Sequence, residues 1–591
     1  MLKYCIKIFT IGTILVSLNV STANAIYTSG KDTLTVAMSQ RKGNGVVLDE
    51  FGRPLEGVKI TTKDGKLLGN SNQNGEFNLG EVTPGQKIVL ERNGYDSKIV
   101  VVNNSNALTV KLLDSYLKFP EKVSVLYDEK ESKEVLGSVS SVYTRQLSTT
   151  PTPLYLNALT GRLSGFYTQE ISGFRTAKTD AISQADLAGT LVNSATAYKS
   201  SNTDNTEMYF ALRGQSPVTI VDGVQRDIYS IDPESIESIT VLKDALSSIM
   251  LGQKSSRGVL QVTTKKGVVG APKLSFTFET GVQNRLQTPK PLSSYQYAYL
   301  YNEALQNDGK LKAFSADDFA SFRNGLSPYL YPDVNWYKTI TKDNAPISKY
   351  SLNVSGGIKN ARYSVSVSYL NQQGMFKTSD AVDYNTNLKL ERYLINSSVD
   401  VDITKDFTVG LQLFGRIQEG CQPGAGTSTV LNSLYSTPNL AYPVFNPNGS
   451  FGGASNYTSN LYQLTTGSGY KLDNNRDLMA NLDMKYKFDN WLPGLYAKFK
   501  VNASSTSSSL ITRNSQQPVY DLSIRAAGDT SYTRYGTISD QTNSFSMTST
   551  VQTFYAQAAL GYDTKIGDHQ FGAMIFGDQL RSTYQFDLPE T

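Results

Sequence analysis

The chain has 591 residues, of which 18% are charged and 39% hydrophobic, with 46 Gly, 36 Tyr and a net charge of +4. That length exceeds one ordinary globular domain, and the Gly, Tyr and small polar residues suit strands and turns better than helical bundles. The positive charge is not gathered into Lys/Arg blocks, which argues against a nucleic-acid-binding surface.

Residues 1–25 read as a signal peptide: Lys3 and Lys7 flank an apolar stretch, Ile8 to Val20, and Ala23-Asn24-Ala25 gives the small-x-small cleavage pattern at Ala23 and Ala25. A buried N-terminal helix is the alternative. Cys5 lies in the charged flank and no lipobox cysteine follows, so a lipoprotein is not expected. Cleavage leaves Cys421 alone, without a disulfide partner. No later run approaches the roughly 18 apolar residues of a spanning helix. An exported chain of this kind is soluble, surface-attached or a β-barrel.

Gly43 to about Asp114 reads as a small β-sandwich. Val58 and Ile60 alternate with polar residues, and Asp64-Gly65, Asn74-Gly75 and Pro84-Gly85 mark turns between short strands. Its pattern, G-x-V-x-D-x-x-G-x-P-L-x-G-V followed by N-G-x-F and a Pro-Gly turn, resembles the carboxypeptidase-regulatory-like domain. That resemblance brings no catalytic residues, and a packing spacer is the expected role.

Residues 117–150 read as a linker. Within it Glu121 to Tyr127 is a β-prone heptad ahead of a charged, Ser-rich stretch. An exposed segment of this kind can add to another protein's sheet edge; an ordinary linker strand is the equal alternative. Residues 151–270 read as a small α+β unit. Asn157 to Phe166 is a helix running into a Gly turn, 172–206 a polar loop, Val218–Val221, Ser238–Leu242 and Val259–Thr264 strands, and Asp222-Gly223 a turn. Asp232 and Asp244 are expected to cap short helices, the first with Pro233 at its start and the second closed by Gly252.

From about Lys273 onward, strands of about ten residues alternate apolar or aromatic with Ser, Thr, Asn, Lys or Asp. Leu274, Phe276 and Phe278 begin the series; Tyr350 to Val354, Tyr363 to Tyr369, 393–403, 407–417, Met479 to Phe488, Leu495 to Ala503, Phe554 to Asp563 and Gln570 to Gly577 continue it. Short turns alternate with long polar stretches at 418–474 and 504–548, expected as loops outside the cell. This fits an outer-membrane barrel better than a soluble sandwich, and in lipid such a sheet must close.

Ile231 to Ala245, continuing through Gly252 and Arg257-Gly258-Val259 to Thr263-Thr264-Lys265-Lys266-Gly267, is similar to the plug signature of SusC/RagA TonB-dependent outer-membrane transporters; Val221-Asp222-Gly223-Val224 matches the strand-turn before it. Met250 departs from the Tyr usual there. Tyr331-Pro332-Asp333-Val334-Asn335-Trp336-Tyr337, Glu391-Arg392-Tyr393 (with Asn396 replacing a usual Arg) and Pro443 to Phe451 resemble barrel motifs.

The resemblance implies a mainly β protein: N-terminal β-sandwich (43–114), α+β plug (151–270) and antiparallel transmembrane β-barrel (273–591). It implies TonB-dependent uptake of oligosaccharides or peptides across the outer membrane, beneath a SusD-like lipoprotein. TonB, energised through ExbB and ExbD, would act on a TonB box for which Val123, Ser124, Val125, Leu126 and Tyr127 are the candidate. Arg213, Gly214, Asp222, Gly223, Lys243, Asp244, Gly252, Arg257 and Gly258 carry over as plug framework, with turns and caps as the plain explanation of the glycines and aspartates. Plug and N-terminal domain would face the periplasm. No cofactor, metal or catalytic residue is implied, and no room for a further signalling domain is expected between Ala25 and Gly43.

About ten strands are expected here against the 22 of such barrels, so the chain reads as the N-terminal part of a transporter. A non-functional truncated fragment is one alternative, and a surface glycan-binding adhesin or a siderophore or cobalamin receptor are others. An enzyme is the rival class. The single histidine, His569, falls at an expected hairpin turn, and no carboxylate pair or metal-ligand cluster stands out. Tyr457, Tyr462 and Tyr470 are expected in an aromatic girdle rather than against sugar rings.

Overall fold

The computed structural model describes residues 44–585 except 173–206 and the short stretches 50–51, 79–84, 93–94, 103–107, 114–121, 127, 132–133, 149, 151, 153–154, 227, 229–230, 525–528 and 568. The signal peptide, with Ala23 and Ala25, lies outside the described residues. So do Tyr127 and nearly all of the polar stretch 172–206. The chain divides into two units, Met1–Phe119 and Pro120–Thr591.

Among its described residues the first unit has seven short strands: β1 (Asn44–Leu48), β2 (Lys59–Thr62), β3 (Leu67–Asn70), β4 (Glu76–Asn78), β5 (Lys87–Glu91), β6 (Lys98–Val101) and β7 (Leu108–Lys111). They form two sheets, ordered β4-β1-β7 and β3-β2-β5-β6. The inward residues of the alternating runs, Val47, Val58, Ile60, Phe77, Ile88, Leu90 and Val110, make one buried core. Gly45 is needed for contact: a Cβ there would lie 2.3 Å from the Phe77 ring.

The second unit begins with the plug: β8 (Lys122–Val125), β9 (Asp128–Glu131), β10 (Val139–Tyr143), β11 (Phe166–Ser172), β12 (Glu207–Leu212), β13 (Val218–Val221), β14 (Val224–Gln225), β15 (Ile236–Leu242) and β16 (Val259–Thr264). Its central sheet runs β10-β15-β16-β13-β14, with β13 and β16 parallel and the other neighbours antiparallel. The expected helix near 157 is a 3₁₀ turn, Tyr155–Leu159, that buries Tyr155, Leu156 and Leu159.

The linker expectation for 117–150 is corrected here. β8 and β9 form a hairpin, β10 is an edge strand of the plug sheet, and Val142 and Leu147 join the plug core. Single apolar residues spaced among Ser and Thr gave no periodic signal of that burial.

The wall follows as β17 (Gly270–Asn284), β18 (Asn344–Ile358), β19 (Ala361–Gln373), β20 (Lys389–Asp402), β21 (Phe407–Pro423), β22 (Gly469–Lys487), β23 (Leu495–Gln516), β24 (Val519–Ile524), β25 (Thr530–Tyr535), β26 (Ser539–Ile566) and β27 (His569–Gln585). Nine of these pair antiparallel in chain order, while β24 and β25 form a separate hairpin. The ten-residue strands are longer than expected, and much of the two expected loops is strand: 418–423, 469–474, 504–516 and 539–548 all lie in the sheet.

The faces of this wall are inverted relative to a soluble protein. On β20 Tyr393 and Ile395 are 49% and 48% exposed, whereas Arg392 and Asn396 are 7% and 8% exposed; on β21 Leu411 and Leu413 are each 44% exposed and Gln418 is 1%. Apolar side chains out and polar side chains in is the pattern of a lipid-facing barrel.

Phe278, Tyr350, Tyr369 and Tyr393 stand opposite one another on four neighbouring strands, with ring centroids 4.9, 6.2 and 4.6 Å apart. At the other rim Phe407, Tyr486 and Phe488 are in contact. Tyr393 opposes Ile417, ten residues along β21 from Phe407. At about 3.3 Å per residue and a tilt of about 40°, the two aromatic rows are about 25 Å apart along the normal, the height of an outer-membrane apolar band.

Candidate functional site

The site with the most chemistry lies where the plug meets the inner face of the wall. Val221 and Val224 pair across a two-residue turn in which Asp222 (φ 49°) and Gly223 (φ 83°) are both left-handed, the geometry that favours Asp-Gly in hairpins. The Asp222 carboxylate is not merely a turn former. It accepts from the Thr264 backbone N–H and hydroxyl, both at 2.9 Å, and from Gln412 of the wall at 2.8 Å. Gln412 also donates to the Thr264 hydroxyl at 2.8 Å. A chain of amides continues along the wall: Asn481 donates to Gln412 at 2.8 Å and Asn502 to Asn481 at 2.5 Å. Lys500 donates to the Asp222 carbonyl at 2.5 Å and pairs with Asp483 at 3.1 Å.

A second plug–wall contact joins Asp232 to β18. Asp232 caps the 3₁₀ turn Pro233–Ser235 by accepting from the Glu234 N–H, as its position before Pro233 predicts. Its carboxylate also receives Lys349 at 3.3 Å and the Ser351 hydroxyl at 3.3 Å, with Asp232 4% exposed. A third contact places the Arg226 guanidinium 4.8 Å over the Phe414 ring and within 2.7 Å of the Met479 sulfur.

Beside these, burial pushes the Glu234 carboxyl above the usual carboxylate range, partly offset by Lys265, and pushes the Lys265 ammonium below its usual range. A carboxyl raised in the folded state favours folding below its unfolded pKa and loses that contribution as pH rises through its folded pKa. Plug stability relative to Glu234→Gln is therefore expected to increase as pH falls from neutrality through the raised Glu234 pKa. Parallel denaturation of the two proteins across that range checks it; equal pH slopes contradict it.

The segment 123–126 is not exposed, in contrast to its expected availability. Leu126 adopts φ 41°; its N–H donates to the buried Gln261 side chain at 2.7 Å. Its side chain packs with Val218, Ile220, Leu242 and Val259. A cavity of about 500 Å³ between this hairpin, the plug and the wall is lined by Ser124, Leu126, Gln261, Thr264, Gln412 and Lys500 among others.

Residues 167–259 match the TonB-dependent Receptor Plug Domain family. A TonB-dependent receptor of Formosa agariphila is 28% identical over 80% of this chain and 43% of its own length. The SusC receptor of Bacteroides thetaiotaomicron is 23% identical over 62% of this chain and 33% of its own. The chain therefore spans less than half the length of these curated relatives. The solved RagAB peptide transporter superposes with a TM-score of 0.55 at 18% identity, over 77% of this chain and 49% of that one.

The chain is SusC/RagA-like. Receptors with this plug and barrel are outer-membrane proteins, and the inverted faces of the wall agree with that location.

The remaining framework residues of this SusC/RagA-like plug divide into ties and turns. Lys243 donates to the Ser164 carbonyl and hydroxyl at 3.0 and 2.9 Å. Asp244, expected as a helix cap, accepts from the Ser138 N–H and so fixes the segment leading into β10. Arg213 and Gly214 form another left-handed turn, closed by Leu212 and Gln215, and the side chains of Arg213 and Arg257 are exposed. Gly252 (φ 57°) kinks the short helical stretch Ile249–Ser255.

Gly258 has φ 81°, and a Cβ there would lie 2.3 Å from Leu212 Cδ2 and 3.2 Å from the Leu242 carbonyl. Gly258→Ala is expected to destabilise the plug by about 1–3 kcal/mol, read as earlier plug proteolysis in denaturant with the wall unaffected.

At the end of the wall away from the short turns, the SusC/RagA-like barrel motifs build a folded cap. Trp336, Ile340, Phe376, Val430, Leu434, Tyr442 and Leu461 form its buried core. Asn335 caps the helix Trp336–Ile340, accepting from the Lys338 N–H at 3.1 Å, and Asp333 binds Ser294 and Asn439, each at 3.0 Å. In the 443–451 motif Phe445 packs on Phe451 at 5.3 Å and Asn446 donates to the Tyr520 carbonyl at 2.9 Å. Tyr457, Tyr462 and Tyr470 pack on Tyr442, Phe445 and Tyr384, which replaces the girdle expectation. His569 opens β27 beside the hairpin turn.

Sequence reading missed Gln261, Gln412, Lys500 and Lys349 and placed Thr264 only within the plug signature; all five are polar side chains on strands at positions facing a protein interior. Among the described residues no cluster of three or more His, Cys, Asp or Glu side chains offers a metal site.

Proposed function

We propose that this chain belongs to a TonB-driven importer that carries oligosaccharides or peptides across the outer membrane, working with a SusD-like lipoprotein over the cap. The observation that carries this reading is the plug docked on the polar inner face of a wall whose outer face is apolar. Such a plug must move before a large polar solute passes, and that movement requires energy. TonB, energised through ExbB and ExbD by the proton gradient, is the proposed source, acting on Val123 to Tyr127 from the periplasm. The similarity to the SusC receptor and the fold shared with a peptide transporter support the import reading. The arrangement needs no catalytic residue, and relatives of this type are transporters rather than enzymes.

The test is uptake of labelled oligosaccharides and peptides by cells carrying the intact protein, with and without a protonophore and with residues 123–127 deleted. The reading expects accumulation of one class, lost in both controls. Accumulation that survives the protonophore and the deletion, or binding at the surface without entry, overturns it; surface retention alone would favour an adhesin.

A further inference from the structure

β16 reads Val-Leu-Gln-Val-Thr-Thr, and its polar residues are buried where an ordinary core strand would carry apolar ones: Gln261 and Thr264 are each 4% exposed. Gln261 holds the Leu126 backbone, and three residues further on Thr264 holds Asp222 together with Gln412 of the wall. One strand thus contacts both the 123–126 hairpin and the plug–wall lock. Leu126 also fills a pocket made by β13, β15 and β16, and β13 leads directly into the Asp222 turn. Its backbone sits in a region that a β-carbon disfavours (φ 41°), so the position is held by the surrounding contacts rather than by local preference.

We infer that Gln261 and Thr264 are coupling residues: withdrawal of the 123–126 hairpin loosens β16 and thereby releases the Asp222–Thr264–Gln412 lock, so that detachment of the hairpin and of the plug from this part of the wall is a single event. Emptying the Leu126 pocket removes packing from under both strands that carry the lock. The lock itself is short-range: two of the three bonds to the Asp222 carboxylate come from Thr264, each at 2.9 Å, and the third comes from Gln412, which also bonds Thr264 at 2.8 Å. A strand shift of about one ångström takes such bonds beyond hydrogen-bonding distance. Gln412, anchored by Asn481 and Asn502 on neighbouring strands, cannot follow the plug. This deepens the import reading and rests on it for the identity of what pulls.

The test is single-molecule pulling on the intact protein in a membrane, with the handle attached just before β8 and neither TonB nor substrate present. The protein with hairpin and lock intact is expected to rupture in one step that includes both, with Cys probes at Lys266 and Ser398, which line the same cavity, separating in the same step. Gln261→Ala should split this into two, the hairpin leaving first at roughly half the force. Gln412→Ala should keep one step, at lower force, with the hairpin seated. Amide exchange in the unpulled proteins guards against misfolding: Gln261→Ala should speed exchange at Leu126 at least tenfold and leave Thr264 within about threefold. A two-step rupture of the unaltered protein, or a single unchanged step in Gln261→Ala, overturns the coupling. Because TonB and substrate are absent, coupled rupture in a protein that fails to import would sink the import reading alone, and uncoupled rupture in a protein that imports would sink the coupling alone.

Discussion

Trp336→Ala is expected to destabilise the cap by about 3–5 kcal/mol, the loss typical of emptying a large buried aromatic site. Trp336 is 1% exposed, its ring lies 4.9 Å from that of Tyr442, and its indole N–H reaches the Pro438 carbonyl at 3.4 Å. It also opens the helix that Asn335 caps, so the substitution loosens the contact between helices Trp336–Ile340, Thr427–Ser436 and Leu461–Thr466. Limited proteolysis of the intact protein in detergent checks this. Cleavage between 427 and 466 should become fast while the wall resists. Equal cleavage rates for the two proteins would contradict the placement of Trp336 at the centre of the cap.

Val399→Arg is expected to cost about 2–4 kcal/mol, because Val399 stands about midway between the two aromatic rows. Val399 is 38% exposed on the outer face, flanked by Tyr363 and Leu411 in register. In a water-facing sheet the same change on a half-exposed residue would fall within about 0.5 kcal/mol. Unfolding and refolding into lipid vesicles distinguishes the two. An Arg placed instead at Ile395, only two residues from Tyr393 in one aromatic row, should cost less, because the penalty falls towards the interface.

Much of the fold was legible. Strict alternation in Leu274–Phe278, Tyr350–Val354 and Tyr363–Tyr369 read as barrel strands because lipid on one face and polar interior on the other force a period of two. The Asp-Gly turn at 222–223 was legible for the same kind of reason, since few residue pairs tolerate two left-handed positions. The far halves of β23 and β26 were not. Strands of 22 and 28 residues extend well past an apolar band of about 25 Å. Beyond it both faces contact polar surroundings, so Ser504 to Ser509 carry no alternation to read, and the short Phe545–Met547 alternation in β26 was too brief to mark a strand.

The site was legible only in part. Asp222 was placed as a turn residue, and its carboxylate contact with Gln412 depends on a partner 190 residues away in the chain. Segment 123–126 read as exposed because its neighbours are charged and polar. Its burial comes from the Leu126 pocket and from Gln261, a polar residue in an apolar strand whose partner no local pattern reveals. The cap motif Tyr331–Tyr337 was recognised, while the reason for it, a capped helix presenting a buried Trp, required the fold.

Depth-dependent quenching tests the orientation of the wall most directly. Single Cys probes at Ile395, Asn396, Leu413 and Gln418 in the otherwise Cys-free intact protein, labelled with a small environment-sensitive fluorophore in vesicles containing brominated lipid, report which side chains touch acyl chains. Quenching at Ile395 and Leu413 with none at Asn396 and Gln418 is the predicted result. Quenching of the polar pair, or equal response at all four positions, would contradict a barrel wall with its polar face around the plug.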